Sequence, residues 1–200
     1  TAHQPGNVRY NPAQEVEQRL RIEKDDQRIS SSTVPPMTYR DPDFPLNATA
    51  SSGLPVVVMT NGKCTMHEGL LRLLGAGTCH FTLHQPGSSN FTAAPISEQE
   101  FTIARADQTI SLPDFSNPPY GPAEIRLDAR ASSGLPVTIS ATGPCEPYGS
   151  FLRFVGNGTC TLIASQRGNE DYNAAPPVTR TFEVYWTEPV PDPGLASGEP

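Results

Sequence analysis

Displaced by 81 residues, this chain falls on itself without an insertion or a deletion. Gln27-Arg28-Ile29-Ser30 meets Gln108-Thr109-Ile110-Ser111, and Ala50-Ser51-Ser52-Gly53-Leu54-Pro55-Val56 meets an identical run from Ala131 to Val137. Tyr39 meets Tyr120, Cys64 meets Cys145, and Gly77-Thr78-Cys79 meets Gly158-Thr159-Cys160. Ala93-Ala94-Pro95 and Phe101 meet Ala174-Ala175-Pro176 and Phe182. A long, gapless period constrains the fold more than composition does, because it calls for an array of like structural units.

Twice that shift lays Ala2, Gln4, Gly6-Asn7 and Tyr10-Asn11 on Ala164, Gln166, Gly168-Asn169 and Tyr172-Asn173. Ala13, Val16, Leu20 and Ile22 then fall on Ala175, Val178, Phe182 and Val184. Residues 1–26 are therefore expected to be the C-terminal strands of a preceding, truncated module. Residues 27–106 and 107–186 are two complete modules. The chain reads either as a piece of a longer array or as one whose modules another chain completes.

Modules of this size bury a modest core and gain from a covalent staple. The four cysteines supply one equivalent pair per module, Cys64 with Cys79 and Cys145 with Cys160. Such spacing in small, loop-rich units reads as disulfides and hence as an oxidising compartment. The rival is zinc, which needs about four ligands, and no histidine recurs at one place in both modules. The net charge is −7 and the only lysines are Lys24 and Lys63, so no basic stripe follows a phosphate backbone and nucleic acid is not an expected partner. No apolar run approaches the ~20 residues of a membrane span, so no membrane insertion is expected in this segment.

The apolar pattern has a period of two. Leu127, Ala129 and Ala131 alternate with Asp128 and Arg130; Val137 and Ile139 alternate with Thr138 and Ser140. Leu152 and Phe154 straddle Arg153, as Leu71 and Leu73 straddle Arg72. Cys160, Leu162 and Ala164 share a face, Ile110 and Leu112 open the module, and Phe182 and Val184 close it. Short strands between regularly placed glycine turns predict an all-β fold of tandem β-sandwiches. Residues 13–24 have helical propensity, but the repeat aligns them with a terminal strand and the strand is the reading adopted. Residues 187–200, rich in alternating prolines, read as an extended linker. Ala104-Arg105-Ala106-Asp107 leaves little slack between modules.

The ordered series Ala-Ser-Ser-Gly-Leu-Pro-Val, Cys, Gly-x-Gly-Thr-Cys, Gln-x-Gly-Asn-x-x-Tyr-Asn-Ala-Ala-Pro and Phe-x-Val resembles bacterial immunoglobulin-like repeats of the Big/MBG type. It spans residues 27–185 and, in part, 1–26. The first module departs from it at His84-Gln85-Pro86-Gly87-Ser88 and at Phe91. The resemblance implies a β-sandwich used as a spacer, adhesive stalk or fibre of secreted and cell-surface bacterial proteins. It implies no catalytic residues.

Other candidates weigh less. His80 and His84 lie on one strand about 13 Å apart, too far to share a metal ion. Asp41-Pro42-Asp43 could offer oxygens to calcium, yet Pro122-Ala123-Glu124 stands there in the second module. Asn47, Asn90 and Asn157 open Asn-x-Thr sequons, which are acceptor patterns and otherwise turn residues. Tyr39, Tyr120 and Tyr172 read as core or sandwich-edge aromatics, and Trp186 as a plug at the module exit. A Lys–Asn crosslink is barred from the second module, which has no lysine. The expectation is a non-enzymatic extracellular structural protein with no cofactor or metal. Its partners would be neighbouring modules, identical subunits, or a cell-surface or matrix ligand. A carbohydrate-binding accessory module of a secreted protein and a virion or phage-tail decoration domain are the alternatives. The strands carrying each cysteine pair should be neighbours, and residues 1–26 should pair with an upstream half-module or another subunit.

Overall fold

The computed structural model describes residues 1–115 and 124–185; the expected linker 187–200, Trp186 and Tyr120 lie outside them. The described chain is all-β and divides into two units. One comprises Thr1–Thr33, Leu46–Met59 and Phe81–Gln99; the other comprises Val34–Pro45, Thr60–His80 and the described residues from Glu100 onward.

The second unit contains a complete sandwich. In one layer Glu124–Arg126 pairs with Phe151–Phe154, which pairs with Cys145–Tyr148. Ile110–Ser111 pairs with Arg130–Ala131, the continuation of the same broken strand. In the other layer Gly158–Gln166 lies between Thr138–Thr142 and Ala175–Val184. The connectivity is that of a seven-stranded immunoglobulin-like sandwich, four strands against three. All these pairings are antiparallel, but only Cys145–Tyr148 with Phe151–Phe154 and Gly158–Gln166 with Ala175–Val184 are consecutive along the chain; the others join strands distant in sequence.

Alternation places the core. Cys160, Leu162 and Ala164 are fully buried, while between them Thr161 is half-buried and Ile163 exposed. Opposite them stand Leu112, Phe115, Leu127, Leu152 and Phe154. Phe182 fits between Phe115 and Phe154, with ring centroids 5.5 and 6.2 Å away. Burying each such side chain contributes about 1.5–3 kcal/mol. The ladder slips between Ala164 and Gln166, opposite Pro176-Pro177, two residues with no N–H to donate.

The second unit holds another buried group: Cys64, Leu71, Cys79 and Ile103, with Tyr39, Phe44, Met66, Leu73 and Phe101 against it. Its strand pairs repeat the scheme, Cys64–His67 with Leu70–Leu73 and Phe44–Pro45 with the latter. Met37–Thr38 adds a parallel pairing to Ile103–Ala104.

In the first unit Ile29–Ser31 pairs with Ala48–Ala50, and Phe81, Leu83 and Ala94 are buried. Residues 13–24 are not helical, and neither do they form a continuous strand. They are joined to the chain start by one antiparallel bridge, Ala2 with Val16. Leu20 and Ile22 are each 86% exposed. Strand geometry there lacks the facing layer that stabilises it elsewhere, since a lone hairpin is marginal in water.

Candidate functional site

The two disulfides form as the spacing suggested. Cys64–Cys79 has a Cα separation of 5.4 Å and Cys145–Cys160 one of 5.8 Å. The strands that carry each pair are not side by side in one sheet. Cys145 opens a strand of one layer and Cys160 sits in the middle strand of the other, so the bond staples layer to layer. Two side chains of neighbouring strands in one sheet would point out of the same face; the core lies between layers, and that is where a buried sulfur finds its partner.

Around each core lies a glutamine clasp that the sequence reading did not pick out. Gln108, 3% exposed, donates Nε2 to Gln166 Oε1 at 2.8 Å and to the Asn173 carbonyl at 2.7 Å. Its own Oε1 accepts from Ser133 Oγ. Gln166 Oε1 also accepts the Gly168 N–H, and Nε2 reaches the Pro136 carbonyl at 3.4 Å. In the first unit Gln27 repeats the pattern with Gln85 at 2.7 Å, the Thr92 carbonyl at 2.6 Å and Ser52. Gln27 and Gln108 thus each have two donated bonds and one accepted bond, where an orphaned buried amide would cost roughly 1–3 kcal/mol.

Four residues of the shared heptapeptide have matching bonds in and around the clasp. Ser51 and Ser132 hydroxyls accept the N–H of Arg28 and Thr109. Ser52 and Ser133 bond the glutamines and accept the N–H of Leu54 and Leu135. Pro55 and Pro136 present carbonyls to Gln85 and Gln166. At Gly168 (φ +78°) a Cβ would collide with the backbone of Tyr172 and Asn173, so the turn requires glycine.

That turn projects a loop into the other notable cluster of the second unit. Asn169 Oδ1 accepts the N–H groups of Asp171 and Tyr172, both at 2.9 Å, and so holds the loop. Asp171 Oδ1 accepts the Ala76 N–H at 2.8 Å, and the Asp171 carbonyl accepts the Ala106 N–H at 2.9 Å. Asn173 N–H donates to the Ala106 carbonyl at 2.9 Å, and its Nδ2 to Asp107 Oδ1 at 2.8 Å. Tyr172 meets the edge of Tyr39, with centroids 5.5 Å apart and planes at 77°. Lys63 Nζ lies 3.9 Å from Glu170, an exposed pair that adds little. A Cβ on Gly75 would press on Asp171 Oδ1 at 2.6 Å, so a side chain there would push the carboxylate aside.

The loop at residues 84–91 in the first unit, where the sequence departs from the motif, keeps the same backbone scheme. Ser88 Oγ accepts the N–H groups of Asn90 and Phe91, as Asn169 Oδ1 does for its own loop. Asp25 N–H donates to the Asn90 carbonyl, and Thr92 N–H to the Asp25 carbonyl.

The remaining candidates have structural partners. Asp43 takes Arg72 through two nitrogens at 2.9 and 2.8 Å, which raises the guanidinium pKa above its ordinary value. Asp41 accepts the Thr38 N–H at 2.7 Å. His80 faces outward with Nδ1 3.1 Å from Glu100, while Cys79, Phe81 and Leu83 turn inward. Asn47, Asn90 and Asn157 are all exposed. Among the described residues, no three of His, Cys, Asp and Glu gather in a metal-binding arrangement. No described helix is long and apolar enough to cross a membrane.

No protein-family model matches the chain, and no curated protein does. Among solved structures, it is similar to Drosophila N-cadherin EC1-4 at 12% identity and a TM-score of 0.28. That match covers 80% of this chain and 51% of the cadherin chain, so the sequence spans about half its length. It is also similar to Clostridium thermocellum CbhA fibronectin(III)-like modules at 16% identity and a TM-score of 0.29, covering 79% of this chain and 94% of that one. Likenesses this loose say nothing of activity or partner.

Proposed function

We propose that the chain is a non-enzymatic extracellular structural protein: tandem immunoglobulin-like modules over 27–106 and 107–186, with 1–26 closing a further module and 187–200 serving as linker. In this reading it is a spacer of the kind found in bacterial stalks, adhesins and filaments, resembling the Big/MBG-type repeats. Two disulfides support an oxidising, extracellular setting.

The observation that carries the reading is the Asp171 cluster. A spacer transmits position only if its joints resist bending. Here a carboxylate, an aromatic pair and three backbone hydrogen bonds surround the four residues Ala104–Asp107. A hydrogen bond to a charged group contributes roughly 1.5–3 kcal/mol, enough to hold such a joint against thermal motion. The test is small-angle scattering of the intact chain beside Asp171→Ala combined with Tyr172→Ala. A stiff spacer gives a narrow distribution of long distances that broadens in the variant, with each module's melting temperature nearly unchanged. Identical profiles would remove the reading.

A further inference from the structure

We infer that the N-terminal hairpin is a docking surface, and that its partner is the set of front strands of another sandwich of this same kind. The inference rests on the modular reading above and names the partner of one of its parts.

The hairpin has the register of a complete module. Ala2 and Val16 exchange N–H···O bonds of 3.0 and 3.4 Å, and Ala13 N–H donates to the Gln4 carbonyl at 3.1 Å. Their counterparts Ala164 with Val178, and Gln166 with Ala175, are partners in the long hairpin of the second unit. The turn matches as well. Asn7 and Tyr10 bond mutually through the backbone, and Asn7 Oδ1 accepts two N–H groups, as Asn169 does. Gln4 Oε1 accepts the Gly6 N–H at 2.9 Å, the bond that Gln166 makes to Gly168.

In that register Val16, Leu20 and Ile22 occupy the places of Val178, Phe182 and Val184. Phe182 and Val184 are 8% and 2% exposed beneath Leu112, Phe115, Leu127, Leu152 and Phe154. Leu20 and Ile22 carry the same inward pattern and are almost wholly in water. What covers the face is thus defined by its counterpart: an apolar layer made of a short two-stranded and a three-stranded sheet, with a glutamine at its edge. That glutamine's Nε2 would donate to Gln4 Oε1 and to the Asn11 carbonyl, as Gln108 does to Gln166 and Asn173. A second copy of this chain does not fit, because its own Gln27 and Gln108 are already engaged by Gln85 and Gln166.

The experiment joins residues 107–162 ahead of Thr1 in the intact chain, preserving the period, and in a second protein joins residues 26–81 instead. Amide hydrogen exchange over residues 2–22 is the readout, with 164–184 of the same molecule as reference. Either extension should slow exchange in 2–22 by about a hundredfold or more, towards the protection of the reference hairpin. Leu20→Asp should abolish that gain in the extended chain and leave the original chain's exchange unchanged. If neither extension protects 2–22, the inference is overturned. So it is if the original chain sediments as a dimer that Leu20→Asp dissociates, which would assign the face to a second copy. A stiff Asp171 joint alongside unprotected 2–22 would overturn this inference alone and leave the spacer standing.

Discussion

The hairpins at Ala2–Ile22 and Ala164–Val184 share a turn, a register and a glutamine–glycine hydrogen bond, yet one is exposed and the other forms the centre of a core. The difference separates two kinds of information. The turn is local: an Asx hydrogen bond, a glycine at positive φ and a few backbone bonds lie within ten residues of one another. Burial depends on strands far away in sequence, and only the later hairpin has them. Where they are present the pairing runs the length of a ten-residue strand; where they are absent it shrinks to isolated bridges.

The largest test of that contrast is truncation at matched positions. Phe182→Ala should lower the unfolding free energy by about 3–5 kcal/mol, read by urea denaturation followed by circular dichroism. Leu20→Ala should stay within about 0.5 kcal/mol of the parent. Equal costs would mean that Leu20 is packed in solution and the contrast is false.

Next come the staples. Each disulfide closes a separation of 15 residues, so Cys145→Ser/Cys160→Ser and Cys64→Ser/Cys79→Ser should each cost about 3 kcal/mol in the chain-entropy description. Markedly unequal losses of melting temperature would show that the two copies do not lean on their staples alike.

A smaller effect falls on the clasp. Gln166→Leu removes the acceptor for Gln108 and Gly168 and should destabilise by roughly 1–3 kcal/mol, whereas Gln4→Leu, on the exposed hairpin, should be neutral. Thermal unfolding of the two single variants side by side decides it. Least of all, Lys63→Ala should change stability by less than about 1 kcal/mol, and salt should erase what difference there is, because both partners of the pair with Glu170 are exposed.

The fold was largely legible in the residues. Leu152 and Phe154 around Arg153, and the Cys160–Leu162–Ala164 stripe, announce which side of each strand faces the core, and they do so because a strand alternates its side chains regardless of what surrounds it. The pairing of cysteines followed from their recurrence. The terminal segment 13–24 was harder, because its alternation specifies a face and not the layer that must cover it.

Gln27 and Gln108 stood in plain view as identities, but nothing in a glutamine's chemistry says that it is buried. Its side chain prefers water until partners 58 residues along the chain satisfy it. Asp171 was less visible still: its counterpart is Asn90, and its partner is the backbone N–H of Ala76, which leaves no mark on sequence. By itself, then, the sequence determined period, strand faces, turns and staples, all set by local geometry or recurrence. Only the tertiary structure decided which polar groups are buried, which loop meets which strand end, and which of two matching hairpins has its apolar face covered, because those outcomes depend on residues that approach one another only once the chain has folded.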